Sequence, residues 1–428
     1  MGINTKPKPN PAMPVIDFLP IFGQSESTGY ASTATTTAQR FSNLMFSEGV
    51  CGLQMASASW QSPPYADAET RLAALVPLVE YTEETPSSGA TEMVSEIDNS
   101  FTQLAIVPGI PGTKLLNLWM GDAVAGYPSG TGWLCKWPYK RMVDALARAV
   151  EIAIASNRYC ISSAMTLLQG TADVQARTAR ATYLQMARLF RAAYRKHVVF
   201  ITKQATPPIM IIGQTCSHLG TLTLTDDFQT VPLTALAQWD AFLEGTAEAL
   251  VPQYQYLYLA DTLHHSAADA RRLGAALGLA RYQSSLGQDC TLYPIHFTRS
   301  GNVATITFHV PVGSLTLDTT WVAANDSSTL AAGIAIADSG GTPQTISSYQ
   351  IVGNTIEITM AAPVPAGAVA QGGWYVAGWN GSTKVNGRLT GPRINLRDQQ
   401  GDSLVFNPAG TNFPMHNWCP LFDFTCED

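Results

Sequence analysis

Three groups of residues in this 428-residue chain have types and spacing suited to nucleophilic chemistry. Ser25 sits in the polar cluster Gly23-Gln24-Ser25-Glu26-Ser27-Thr28-Gly29, directly after the apolar run Val15 to Phe22. Gln169-Gly170-Thr171-Ala172-Asp173 follows a second apolar run, and Asp261-Thr262-Leu263-His264 follows another. A serine hydroxyl is a poor nucleophile at its ordinary pKa and needs a base within hydrogen-bond reach. His264 is the candidate base: it would take the proton and return it to a leaving alcohol, while Asp261 holds the imidazole tautomer and stabilises the imidazolium. With Asp and His three residues apart, one turn can set the carboxylate against Nδ1 and leave Nε2 facing Ser25. His265 is the alternative base, and His264 is favoured because it keeps the Asp-x-x-His register. Taken alone, Ser25 reads as a turn serine; with the other two groups following in order, the nucleophile reading is favoured.

Residues so far apart meet only if a fold carries them to one edge. Strand candidates are Val15 to Phe22, Gln103 to Val107, Ser163 to Leu168, Ile209 to Ile212 and Tyr256 to Leu259, short apolar runs of the kind found in sheets buried on both faces. Between them lie helical patterns at 139–157, 173–197, 233–250 and 266–283. In the second, Ala181, Leu184, Leu189 and Ala192 with Tyr183 and Met186 form the expected apolar face, and Arg177, Arg180, Arg188, Arg191 and Arg195 the solvated one. Strand and helix in alternation predict an α/β unit with a parallel sheet, whose functional groups collect beyond the carboxyl ends of the strands. After Leu292 the texture changes to alternating β-branched and small polar residues with turn signals, and no long helical pattern. The expected organisation is an extended Pro-rich arm over 1–13, the α/β domain over 14–290, and a C-terminal antiparallel β-sandwich-like domain over 295–428.

The blocks resemble those of the SGNH/GDSL hydrolases, in the acetylesterase branch similar to sialate O-acetylesterases and carbohydrate acetylesterases. That resemblance covers roughly 15–285 and implies a three-layer, flavodoxin-like hydrolase domain. It implies Ser25, Asp261 and His264 as the catalytic residues, and an oxyanion hole from the N–H groups of Ser25 and Gly112 and the side-chain amide of Gln169. Gly112 lies in the turn Pro108 to Trp119 and competes with Gly109 and Gly121 for that role; Gln169 has the alternative of satisfying backbone groups at a strand end. Asp173 is read as fixing its loop. Two positions depart from the pattern: Glu26 stands where Asn is usual, and Thr171 where Glu is usual. Gly401-Asp402-Ser403-Leu404 spells the motif that names the family, but in the β-rich tail, with no Asp-x-x-His after it, it reads as a turn. Gly391 to Asp398 resembles a short signature near the end of related phage-borne and bacterial acetylesterases.

Composition narrows the setting. Charged residues make up 13% and the formal net charge is −7, with no Lys/Arg block, which argues against a nucleic-acid or anionic-membrane surface. No apolar run is long enough to span a bilayer, and no secretory signal is evident near the first residues. The seven scattered cysteines lack metal-ligand spacing and read as free thiols, with Cys419 and Cys426 able to pair locally. No cofactor or metal is expected. Cys216 is a poor rival nucleophile, His218 is read as loop-exposed, and His296, His309 and His416 as packing or surface residues. Trp374, Tyr375 and Trp379 suit either a sugar-binding platform or the core of the second domain. The expected function is a serine esterase that removes O-acetyl groups from a bacterial surface polysaccharide; the alternative is a catalytically silent, glycan-binding tail protein. A virion-tail location, by attachment or self-association, is favoured over the cytoplasm.

Overall fold

The structure is a computed structural model that describes residues 13–38, 40–51, 72–119, 137–216, 232–256, 258, 259, 261, 263–378, 385–408 and 410–427. Its centre is a mixed, mostly parallel sheet of eight strands among the described residues. These are β1 (Val15–Gly23), β2 (Leu44–Phe46), β3 (Leu75–Pro77), β4 (Thr102–Ile106), β5 (Tyr159–Ile161), β6 (Ala164–Leu168), β7 (Ile209–Gln214) and β8 (Ala249–Pro252). The order is β3-β2-β4-β1-β6-β7-β8, with β5 beside the start of β1 and only β2/β3 antiparallel. The five principal parallel strands β1, β4, β6, β7 and β8 therefore run in the spatial order second-first-third-fourth-fifth, the doubly wound flavodoxin-like arrangement. The chain reverses its direction of winding at β1, so the crevice opens at the carboxyl end of β1, where Ser25 follows.

β1 shows why the sheet is three layers deep. Ile16, Phe18 and Phe22 enter one apolar cluster with Leu146, Tyr183 and Phe190, from helices Trp137–Ala155 and Arg180–Thr202. Leu19 and Ile21 point to the other face, against Met93 of helix Pro86–Ile97 and Leu273 and Leu277 of helix Ala267–Ser285. A strand buried on both faces must be apolar at successive positions, and each fully buried Phe or Leu contributes about 1.5–3 kcal/mol. The last two helices cross at glycine contacts: a Cβ on Gly274 would lie 1.9 Å from Pro86 O, and one on Gly89 1.8 Å from Arg271 O. Helix Pro86–Ile97, which the sequence reading did not find, starts on Thr85, whose side chain accepts from Ser87 N, with Pro86 in the first turn.

Several sequence expectations are corrected. Tyr256–Leu259 is not the last strand; β8 is Ala249–Pro252, which begins within the stretch assigned to a helix over 233–250. That helix ends at Leu243 because Gly245 turns the chain at φ 76°, which frees the following apolar run to extend the sheet. The pattern at 173–197 is two helices, Thr171–Gln175 and Arg180–Thr202, separated at Arg177 with φ 56°. The buried stripe of the second is Tyr183, Ala187, Phe190, Tyr194 and Val198; Leu189 is 44% exposed. Its arginine face is ion-paired rather than simply solvated: Arg180 meets Asp240 and Asp423, Arg188 meets Glu244 and Arg191 meets Glu248.

After Leu292 the strands are antiparallel. Tyr293–Ser300, Val303–His309, Thr355–Met360 and Ile346–Val352 form one sheet, and Ile334–Ala337, Val369–Gly372 and Phe422–Thr425 another. Their apolar side chains continue the cluster of the α/β unit. Polar ties cross as well: the Gln214 side chain donates to Leu421 O (2.8 Å) and accepts from Leu421 N (2.7 Å), and Trp239 Nε1 donates to Asp423 O. Trp374 takes the core alternative, buried with Nε1 donating to Phe422 O, while Trp379 lies outside the described residues. Gln400–Asp402 is a 3-10 turn leading into the strand Val405–Phe406. Cys419 and Cys426 both remain thiols, with no disulfide between them. No helix among the described residues is long and apolar enough to cross a membrane.

Candidate active site

β1 ends at Gly23 because nothing larger fits: a Cβ there would lie 1.9 Å from Leu168 O on β6. Beyond it, Ser25–Thr28 forms a single helical turn, closed by Gly29 at φ 70°. Ser27 and Thr28 bend back, donating their hydroxyls to Gln24 O (2.7 Å) and Ser25 O (3.1 Å). Ser25 opens this turn, so its N–H has no intrahelical acceptor.

The end of β6 meets this turn. Gln24 Oε1 accepts from Ala172 N (3.0 Å) and Gly170 N (3.4 Å). Gln169 Nε2 donates to Asp173 Oδ2 (2.6 Å), with Thr113 O and Gln24 Oε1 each at 3.3 Å, and its Oε1 accepts from Tyr183 Oη (2.9 Å). Both amide hydrogens of Gln169 are thus engaged within the protein, and the side chain stitches three loops together. Asp173 also accepts from Leu115 N and Thr178 Oγ1, the loop-fixing arrangement. Gly112 lies on that same loop at φ 69°, with open space where a side chain would be. Gly109 instead packs against β1, where a Cβ would lie 2.6 Å from Ser27 Oγ, and Gly121 lies outside the described residues.

The histidine arrives on the loop between β8 and helix Ala267–Ser285. Asp261 Oδ1 accepts from Leu263 N (2.9 Å) and His264 N (3.0 Å), which curls the backbone so that Oδ2 meets His264 Nδ1 at 2.6 Å. Burial alone would raise the Asp261 carboxyl, but the His264 bond and the two backbone N–H groups bring it below its ordinary value. Ser266 caps the helix that follows by accepting from Asp269 N, which fixes where the loop must end. The His264 ring packs on Tyr30 with centroids 4.9 Å apart, and Tyr30 N donates to Ser25 O (3.1 Å). The base candidate therefore stands over the turn that carries Ser25. His265 faces the other way, buried, with Nε2 on Gln253 Oε1 and its ring against Tyr258.

Ser25 Oγ does not donate to His264 in this structure; it donates to Glu26 Oε2 at 3.1 Å. Unliganded sites commonly hold such hydrogen bonds loose until substrate is bound. Sequence reasoning missed Glu26 as a partner of Ser25, and also Tyr30, Tyr183, Thr215 and Gln238. Gln238 had one visible signal, a polar residue within an otherwise apolar helix; it donates to Gln169 O (2.7 Å) and accepts from Thr215 N (2.9 Å). The Cys216 thiol is fully buried and pushed up to about 12 by burial, which keeps it protonated. His218 lies outside the described residues. No cluster of metal-ligating side chains occurs among the described residues.

No family model and no curated protein matches this sequence. Among solved structures, a carbohydrate acetylesterase from Xanthomonas citri aligns with a TM-score of 0.53 at 15% identity, over 84% of this chain and 75% of that one. The chain shares the fold of an acetylesterase. A carbohydrate acetylesterase from Sinorhizobium meliloti (TM-score 0.31, 11% identity, 63% of this chain and 99% of that one) and an aryl esterase from M. smegmatis (TM-score 0.31, 10% identity, 63% and 99%) also align. The acetylesterase fold extends past the α/β unit here, since 84% of 428 residues exceeds the span of residues 14–290.

Proposed function

We propose that this protein is a serine esterase that removes O-acetyl groups from a polysaccharide. The observation that carries the reading is the Asp261–His264 pair, bonded at 2.6 Å and packed through Tyr30 onto the Ser25 turn. In the first step Ser25 Oγ gives its proton to His264 Nε2 and bonds to the acetyl carbonyl carbon, whose oxygen becomes the oxyanion. The Ser25 N–H and the Gly112 N–H are the proposed donors to that oxyanion. Gln169 joins them only by releasing one of its present acceptors. The imidazolium then protonates the sugar oxygen as the C–O bond breaks, leaving acetyl-Ser25 and a free hydroxyl. Water, deprotonated by His264, releases acetate and restores the serine. No step requires a metal ion. The fold shared with a carbohydrate acetylesterase supports the class of reaction.

The test is hydrolysis of p-nitrophenyl acetate by wild type and Ser25→Ala, followed by acetate release from a panel of acetylated bacterial surface polysaccharides. Equal rates for the two proteins would sink the assignment. A second reading, a glycan-binding protein with a silent site, is favoured by the Ser25–Glu26 bond; binding of an acetylated glycan with no acetate released would select it. We also propose a virion-tail setting over a cytoplasmic one; co-sedimentation with purified virions tests it.

A further inference from the structure

The carboxyl group of Glu26, next to the nucleophile, has three side-chain hydrogen bonds. Glu26 is 5% exposed. Its Oε2 accepts from Gln24 Nε2 (2.7 Å) and Ser25 Oγ (3.1 Å), and its Oε1 accepts from Thr171 Oγ1 (2.5 Å). Thr171 Oγ1 in turn lies 3.2 Å from Thr215 Oγ1, just past the end of β7. One buried carboxyl group thus gathers the turns that follow β1, β6 and β7. Gln24, fixed from one side by Glu26, offers its Oε1 to Gly170 N and Ala172 N on the other, so the network closes on itself.

Resting on the esterase reading, we infer that Glu26 is a positioning residue for Ser25: it sets the Ser25 hydroxyl and locks the Gln24 and Thr171 turns around it. The chemistry of the donors explains why a carboxylate is required. The charged bonds donate toward it from an amide and two hydroxyls, and a carboxylate is acceptor-only. A glutamine at this position keeps one acceptor oxygen for Gln24 and Ser25 but removes the charge, and its N–H₂ fits only if the Thr171 hydroxyl reverses to accept from it and donates to Thr215 instead. The two positions at which the sequence departs from the acetylesterase pattern, 26 and 171, are in direct contact. The site holds one carboxylate across this contact, and moving it to the other side conserves the count. Two facing carboxylates would repel and resist ionisation.

The experiment measures kcat and KM for p-nitrophenyl acetate, with the thermal midpoint, in Glu26→Gln, Thr171→Val, Thr171→Glu and the double variant Glu26→Gln/Thr171→Glu. Ser25→Ala and His264→Ala serve as references, and Ser25→Ala separates the two claims: if it keeps the wild-type rate, the esterase reading fails first. With Ser25→Ala inactive, Glu26→Gln should lose about 10- to 100-fold in kcat, the scale of one charge-assisted hydrogen bond, with KM changed less than about threefold. Thr171→Val should lose less, and the double variant should recover at least about tenfold over Glu26→Gln. A Glu26→Gln enzyme within twofold of wild type, or a double variant no better than the single one, would overturn the inference. So would a Glu26→Gln enzyme as inactive as Ser25→Ala beside an active His264→Ala, since Glu26 would then be the base. If Glu26→Gln does not fold, Thr171→Val decides: unchanged kcat refutes the role, and a fall in kcat with an unchanged midpoint supports it.

Discussion

Replacing Asp261 by Asn tests the Asp–His geometry with almost no change in shape. The Asn oxygen can still accept from Leu263 N and His264 N, so the loop keeps its curl. What is lost is the charged acceptor 2.6 Å from His264 Nδ1. An imidazolium facing a neutral amide loses a charge-assisted bond of about 1.5–3 kcal/mol, and the Asn amide N–H₂ favours the wrong tautomer. The Asp261 side chain is 42% exposed, so solvent screening places the electrostatic share at the low end. The expected loss in kcat is about 10- to 100-fold, smaller than for a fully buried aspartate, with KM nearly constant. Steady-state hydrolysis of p-nitrophenyl acetate reads it directly. The acid side adds a signature: because the folded carboxyl lies below its ordinary value of 3.8, the pair's contribution is complete above that value and fades only as pH falls through the lowered one. An Asp261→Asn enzyme within twofold of wild type would refute the assignment of His264 and Asp261 as a working pair.

Other outcomes follow from packing and burial. Gly274→Ala places a methyl 1.9 Å from the Pro86 carbonyl, so the two helices must separate; a loss of about 1–3 kcal/mol or more is expected, read as a lower urea midpoint. Glu80 is raised to about 8 by burial first and by the nearby Glu84 charge second. Its folded form therefore holds a proton that the unfolded chain releases above about 4.5, and stability should fall with slope up to about 1.4 kcal/mol per pH unit between those values. Glu80→Gln should flatten that slope, and an unchanged pH profile of the thermal midpoint would count against the shift. Gln214→Ala should destabilise by about 1–3 kcal/mol by leaving the Leu421 N–H and carbonyl without their partner, measurable in the same urea titration.

The sheet was legible where strands are buried on both faces. Ile209 to Ile212 is an unbroken apolar run and Val15 to Phe22 is broken only by Asp17, which is buried against Arg281; the structure extends each by only one or two residues. The short strands β2 and β3 on one flank of the sheet, three residues each, have no periodicity to read. The apolar face expected for helix Arg180–Thr202 included Tyr183 but not Phe190, Tyr194 or Val198; Tyr183 and Tyr194 bury their rings by placing their hydroxyls on Gln169 and Ser162. At the site, the pairing of Asp261 with His264 is local and three residues long, so it was legible from spacing together with the resemblance that singled out this register. The Glu26–Thr171 contact joins residues 145 apart and involves types that are ordinary on any surface. Only the fold makes them neighbours.

The Gln214–Leu421 pairing has a consequence for how the molecule is made. Gln214 ends β7 and mimics a strand partner for Leu421, and Trp239 and Arg180 likewise find their acceptors at Asp423. A ribosome has released all eight strands of the central sheet long before residue 421 emerges. Until then Gln214, Trp239 and Arg180 lack the partners at Leu421 and Asp423 that the finished fold gives them. Completion of the α/β unit is in this sense a late event in synthesis, set by a segment that contributes nothing to the sheet itself.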